Sequence, residues 1–123
     1  MNTKLTMVLR IILGLILLIF GANKFFNFLP MPPMEGAAGE FIGALFVAGY
    51  MFPLIALTEI VAGALLILNK WVGLAMILAS TIIVNIVAFH LVLAPSGIGL
   101  GAVMLIIIVL LYYSKWHKFK TLF

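Results

Sequence analysis

The sequence predicts an all-α membrane protein, a four-transmembrane-helix bundle with a short interfacial helix between spans 1 and 2, in one integral membrane domain over residues 1–123. Three observations carry this expectation. The chain is 67% hydrophobic and only 8% charged, with a mean hydropathy of +1.40, whereas soluble domains carry about 25% charged residues. A fold facing water could not cover itself with so little polar surface. Charges and turn residues divide the chain into four apolar stretches, each long enough to cross a bilayer. Finally, four crossings collect the Lys residues almost entirely on one side, as the positive-inside rule requires.

The first span covers about residues 4–22 and is interrupted only by Arg10. A cleaved secretory signal is the alternative reading, because Lys4 and Arg10 precede an apolar core that ends in Gly21-Ala22. The apolar pattern begins well before Arg10, however, and no soluble domain needing export follows. The second span covers about 53–69, with Glu59 as its single charge. From Trp71 to Ser114 there is no Asp, Glu, Lys or Arg. One helix of that length would be about 66 Å long, twice the hydrocarbon thickness. The stretch therefore folds back at Ala94-Pro95-Ser96-Gly97-Ile98-Gly99, giving spans over about 71–93 and 97–114. Asn69-Lys70 makes a similarly tight connection between spans 2 and 3.

The run Leu29-Pro30-Met31-Pro32-Pro33-Met34 is expected to be extended and stiff. After it, Gly39, Gly43, Ala44 and Ala48 recur at helix-packing spacings. A fifth span here would move Lys70 and the basic tail to the opposite face from Lys4, against the charge rule. Four spans place Lys4, Lys70, Lys115, Lys118 and Lys120 together and leave only Lys24 opposite. Residues 37–50 are therefore read as a short helix in or dipping into the outer leaflet, and both termini as cytoplasmic. The tail Tyr112-Tyr113-Ser114-Lys115-Trp116-His117-Lys118 reads as an aromatic and basic anchor at the cytoplasmic interface.

Ionisable groups inside a membrane are costly, so each raises a question of partners. Arg10, Gly14, Leu17, Gly21 and Lys24 recur every three or four residues and share one face of span 1. Ala56, Glu59 and Gly63 share a face of span 2. In span 3, Thr81 and Asn85 stack, while His90 lies about 140° further round the helix. Counting depth along the helices puts Lys24, Glu59, Asn85 and His90 in the outer half, where they form the candidate ligand-binding cluster. Arg10, about 21 Å below Lys24, stands apart. With Gly14, Gly21 and Gly63 it is assigned a structural role.

Each of these residues also has a plainer reading. Lys24 could snorkel at a helix end, Arg10 could snorkel to the inner headgroups, Asn85 could bridge helices, and His90 could cap its helix. Glu59 is too deep for such an exit and needs either a proton or a partner, Lys24 or His90.

Several chemistries are disfavoured. The chain has no cysteine, which removes disulfides and thiolate metal sites. One His at membrane depth does not make a bis-His haem pair, Met31 and Met34 are too few for a copper site, and no metal site is expected. Gly97-x-Gly99-x-Gly101 follows a membrane turn rather than a strand, so it does not read as a nucleotide fingerprint. The few basic residues do not form the polar face that nucleic acid needs. No catalytic residue can be named.

Arg10-Ile-Ile-Leu-Gly14 with Phe20-Gly21-Ala22-Asn23-Lys24-Phe25-Phe26 resembles the opening signature of the DoxX family of small bacterial membrane proteins. Leu57-Thr58-Glu59-Ile60-Val61-Ala62-Gly63, Asn85-Ile-Val-Ala-Phe-His90 and Leu93-Ala94-Pro95-Ser96-Gly97 extend the resemblance along nearly the whole chain. The resemblance implies a four-helix bundle in the bacterial cytoplasmic membrane. It also implies association with redox enzymes, since the family name comes from a quinol-oxidising terminal oxidase and a thiosulfate:quinone oxidoreductase. Other members resemble assembly factors.

Two functions are therefore expected to compete. One is an accessory subunit of a quinone-linked membrane oxidoreductase system, with no catalysis of its own and a quinone as its only candidate cofactor. The other is a non-enzymatic module that binds a lipid, a small molecule or another membrane protein. Membrane lipids, a redox or other membrane protein, and a second copy of the chain are the partners to consider. A proton-linked carrier would need a broken core helix, which the sequence does not suggest.

Overall fold

The computed structural model describes residues 2–29 and 34–122. Helix α1 spans Thr3–Phe26, α2 Gly36–Val47, α3 Met51–Leu68, α4 Val72–Leu93, α5 Ile98–Ser114 and α6 Trp116–Phe119. A 3-10 turn at Pro95–Gly97 joins α4 to α5, and another covers Lys120–Leu122. Four of these elements are long and apolar enough to cross a membrane: Thr3–Phe26, Met51–Leu68, Val72–Leu93 and the continuous Pro95–Ser114. The expected architecture is therefore present, with α2 as the shorter helix between the first two spans. Of the stiff Pro-rich segment expected over Leu29 to Met34, residues 30–33 lie outside the described residues.

Each boundary has a local cause. Asn2 accepts a hydrogen bond from the Lys4 backbone N–H at 2.7 Å and so caps α1, relieving one of the unpaired donors at a helix start. The helix runs through Lys24 to Phe26, four residues past the expected end at Ala22. It stops where Asn27 turns left-handed (φ 56°) and donates its N–H to Asn23. At the end of α3, Asn69 is also left-handed (φ 58°). The Lys70 N–H reaches back to the Leu65 carbonyl at 3.1 Å and the Asn69 N–H to Leu66 at 3.4 Å, a Schellman closure built on Asn instead of Gly. Trp71 follows with φ 46° and starts α4, so the α3–α4 connection is as tight as Asn69-Lys70 suggests.

The four long helices form a ring in which α1 packs on α3, α3 on α4, α4 on α5, and α5 back on α1. Leu13, Leu17, Leu66, Met76, Ile83 and Leu111 fill its centre. These helices are apolar on every side, because their outer faces meet lipid tails. Hydrophobicity therefore does not mark the inward face, and close packing does. The mark is clearest between α1 and α3. A Cβ built on Gly63 would lie 2.6 Å from the Gly14 carbonyl oxygen, and one on Gly21 would lie 3.0 Å from the Ala56 carbonyl oxygen. The pairs 10/67, 14/63 and 21/56 fall in a single antiparallel register.

Helix α2 behaves differently. Ala38 is its one buried residue, and it reaches the bundle through Phe41 stacked at 5.6 Å on Phe89. Gly39 lies against the Met34 backbone, while nothing lies within 4 Å of a Cβ on Gly43. At Gly43 the small-residue spacing is therefore not used for packing among the described residues. The aromatic tail is also divided. Tyr113 is exposed, but Tyr112 turns inward, with its hydroxyl 2.7 Å from Ser80 and its ring 4.7 Å from the buried Phe119.

Candidate functional site

The polar face of α1 is fastened to α3 at both ends. At the end carrying the chain termini, Arg10 is only 7% exposed. Its Nη1 donates to the carbonyls of Leu66 and Ile67, the latter at 3.3 Å. These two residues occupy the last turn of α3, where carbonyls run short of backbone donors, Leu66 keeping only the 3.4 Å bond from the Asn69 N–H, and where a positive charge suits the helix dipole. Arg10 is therefore anchored on α3 within the bundle. The stripe that places it beside Gly14 is readable in sequence, but its target depends on the α1–α3 register.

At the opposite end, Lys24 Nζ lies 2.6 Å from Glu59 Oε1. The Glu59 side chain is 2% exposed and that of Lys24 is 27% exposed. Oε1 is fully buried and, despite the short approach, receives no well-directed hydrogen bond; charge attraction is the dominant bond. Helix geometry explains how the two residues meet. Side chains lean toward the N-terminus of their own helix, so Lys24, near the end of α1, leans into the bundle. Glu59, on the antiparallel α3, leans out toward it. Gly21 makes the approach possible, because a Cβ there would lie 3.0 Å from the Glu59 Cβ. Lys24 thus turns inward rather than snorkelling away.

Asn85 and His90 do not join this pair. Asn85 is exposed on the surface of α4 and its Nδ2 donates to the Thr81 carbonyl at 2.7 Å, within its own helix. The His90 Nδ1 is 2.8 Å from the Ile86 carbonyl, so Nδ1 carries the proton. The ring lies over Gly97, whose Cβ, if present, would come within 2.9 Å of His90 Cδ2. His90 thus braces the α4–α5 turn, close to the capping role that its position suggests. Among the described residues, no group of three or more His, Cys, Asp or Glu side chains converges.

Two features escaped sequence reasoning. Asn23 is 4% exposed and brackets the loop after α1, accepting from the Leu29 N–H at 2.6 Å and donating to the Leu29 carbonyl at 3.4 Å. Its place one turn before the left-handed Asn27 is the available signal. Hydroxyl pairs also tie helices together: Thr6 to Ser114 at 2.8 Å and Ser80 to Tyr112 at 2.7 Å. Ser and Thr are too common in membrane helices for such pairs to stand out in a sequence.

The family model for DoxX matches residues 5–93, which run from α1 through α4 and include every candidate residue named above. No curated protein and no solved structure matches the chain.

Proposed function

The chain belongs to the DoxX family of membrane proteins, and from that premise we propose that it is an accessory, non-catalytic subunit of a quinone-linked membrane oxidoreductase system. The Lys24–Glu59 pair is its ligand contact near the outer end of the bundle. The observation supporting this reading is the asymmetry of that pair, in which Glu59 is sealed in the bundle while Lys24 keeps a quarter of its side chain accessible. An ammonium has three donors, so Lys24 can hold Glu59 and still donate to a quinone carbonyl oxygen. Glu59, sealed in the bundle, holds the ammonium in place. A quinone carries electrons and protons between enzymes; this chain would orient its headgroup through Lys24. Asn85 and His90 are committed to carbonyls of their own helix, which leaves Lys24 as the exposed polar group of the candidate cluster at this end.

The test is extraction of quinone from protein purified gently in mild detergent, followed by mass spectrometry. Quinone should co-purify with the wild-type chain and fall by about tenfold in Lys24→Met and Glu59→Gln, as expected for loss of a charged hydrogen bond. Absence of quinone from repeated wild-type preparations, together with absence of a redox partner, would overturn the proposal.

A second reading, a module that docks another membrane protein, draws on α2, where Phe46 is 68% and Val47 83% exposed. A photo-crosslinker at Phe46 should trap one defined protein in native membranes if that reading is right, and only lipid if it is not.

A further inference from the structure

The end of the bundle that carries both termini gathers positive charge from separate elements. Two adjoining recesses of about 190 and 220 Å³ open there, and Thr3, Thr6 and Lys115 line both. Arg10 and Asn69 complete one recess, Ser114 and His117 the other. We propose that these recesses form a binding site for a phosphate-bearing anion, held by Lys115, Arg10 and His117 with the hydroxyl of Thr3, while Thr6 is committed to the Asn2 carbonyl and Ser114. The site is independent of the Lys24–Glu59 pair, which sits at the other end of α1.

Four considerations carry the assignment. Among the described residues the recesses are lined by basic, hydroxyl and amide side chains and Met7, and by no carboxylate, so no lining side chain repels an entering anion. Arg10 spends only Nη1 on the α3 carbonyls. Its Nε and Nη2 bond to no other described residue, which leaves part of a planar donor fork, the geometry suited to phosphate. Helix α1 begins here with no acidic residue in its first turn, so its positive dipole end is uncompensated. Lastly, Lys115 is held below the ordinary lysine value by partial burial and by the neighbouring charges of Lys118 and Arg10. A bound anion would relieve that repulsion.

Such an anion could be the headgroup of a phospholipid or a free phosphate. Met7, which lines one recess, is 44% exposed, so the site opens onto apolar surface where acyl chains could lie. The experiment is native mass spectrometry of the delipidated full chain in detergent, titrated with phosphatidylglycerol, with phosphatidylcholine and, separately, with inorganic phosphate. Phosphatidylglycerol should be retained at least about fivefold better than phosphatidylcholine, and Lys115→Gln should remove most of that preference, as loss of one charged hydrogen bond implies. Lys120→Gln, a charge change near the same terminus but outside the recesses, should leave it intact. His117→Gln provides an independent variant should Lys115→Gln fail to fold. Competition by millimolar inorganic phosphate would assign the site to a soluble anion, and its failure to compete would assign it to the lipid. Equal retention of both lipids with no effect of phosphate would overturn the proposal. Equal losses in Lys115→Gln and Lys120→Gln would overturn it too, because they would reveal diffuse charge attraction instead of a site.

Discussion

Gly14 and Gly63 bring the backbones of α1 and α3 into direct contact, since a Cβ on Gly63 would lie 2.6 Å from the Gly14 carbonyl oxygen and 2.8 Å from the Leu18 nitrogen. The obstructing atoms belong to backbone, so no rotamer change can make room. Gly63→Ala should push the helices apart and cost about 1–3 kcal/mol, the range for overpacking a well-filled contact. Gly43→Ala in α2, with nothing within 4 Å of the new methyl, should be neutral or stabilise by up to about 1 kcal/mol through helix propensity. Thermal unfolding in detergent would separate the two. Equal destabilisation by both would show that the α1–α3 contact is not the tight one.

The unequal burial of Lys24 and Glu59 predicts unequal effects of removing them. Lys24→Met leaves Glu59 sealed in the bundle without its counter-charge, which should cost about 3–5 kcal/mol. Glu59→Gln leaves a lysine near a helix end that can reach toward the surface, and should cost less. The double variant Lys24→Met/Glu59→Leu should be milder than Lys24→Met alone, because no buried charge remains. Additive losses across this cycle would contradict the coupling.

Arg10 closes the last turn of α3, so Arg10→Met should destabilise by about 2–4 kcal/mol through two carbonyls that lose a charged donor. Arg10→Lys should recover part of the loss, because an ammonium can reach one carbonyl but lacks the planar fork. If Arg10 served only to snorkel to headgroups, Lys would restore full stability.

Lys115 provides a pH signature. Its charged form is disfavoured in the folded chain by partial burial and by Lys118 and Arg10, so its folded pKa lies below the ordinary 10.5. Between the two values the unfolded chain binds more protons, and stability should therefore rise with pH across that window. Below the window the charged lysine imposes a constant cost. Lys115→Gln should abolish the alkaline rise in denaturant or thermal midpoint, and a rise that persisted would assign it to another group.

The number of spans, the tight Asn69-Lys70 turn and the fold-back at Pro95 were legible in the sequence, as was the stripe from Arg10 to Lys24. Membrane partition is a sum over the residues of one segment, and a stripe is a property of one helix, so neither needs knowledge of a partner. The pairing of polar groups was only partly legible. Glu59 needs a partner, and the sequence offers both Lys24 and His90, with Asn85 at comparable depth. Asn85 instead faces outward onto its own helix, and His90 braces a turn. Those outcomes depend on the rotation of α4 and on the register of α1 against α3. The sequence by itself determined where the chain enters and leaves the bilayer, because solvent preference acts residue by residue. Only the tertiary structure decided that Lys24 meets Glu59 and Arg10 meets Leu66 and Ile67. Those meetings follow from Gly14, Gly21, Ala56 and Gly63 locking two distant segments at one offset, a fit of surfaces that no single segment encodes.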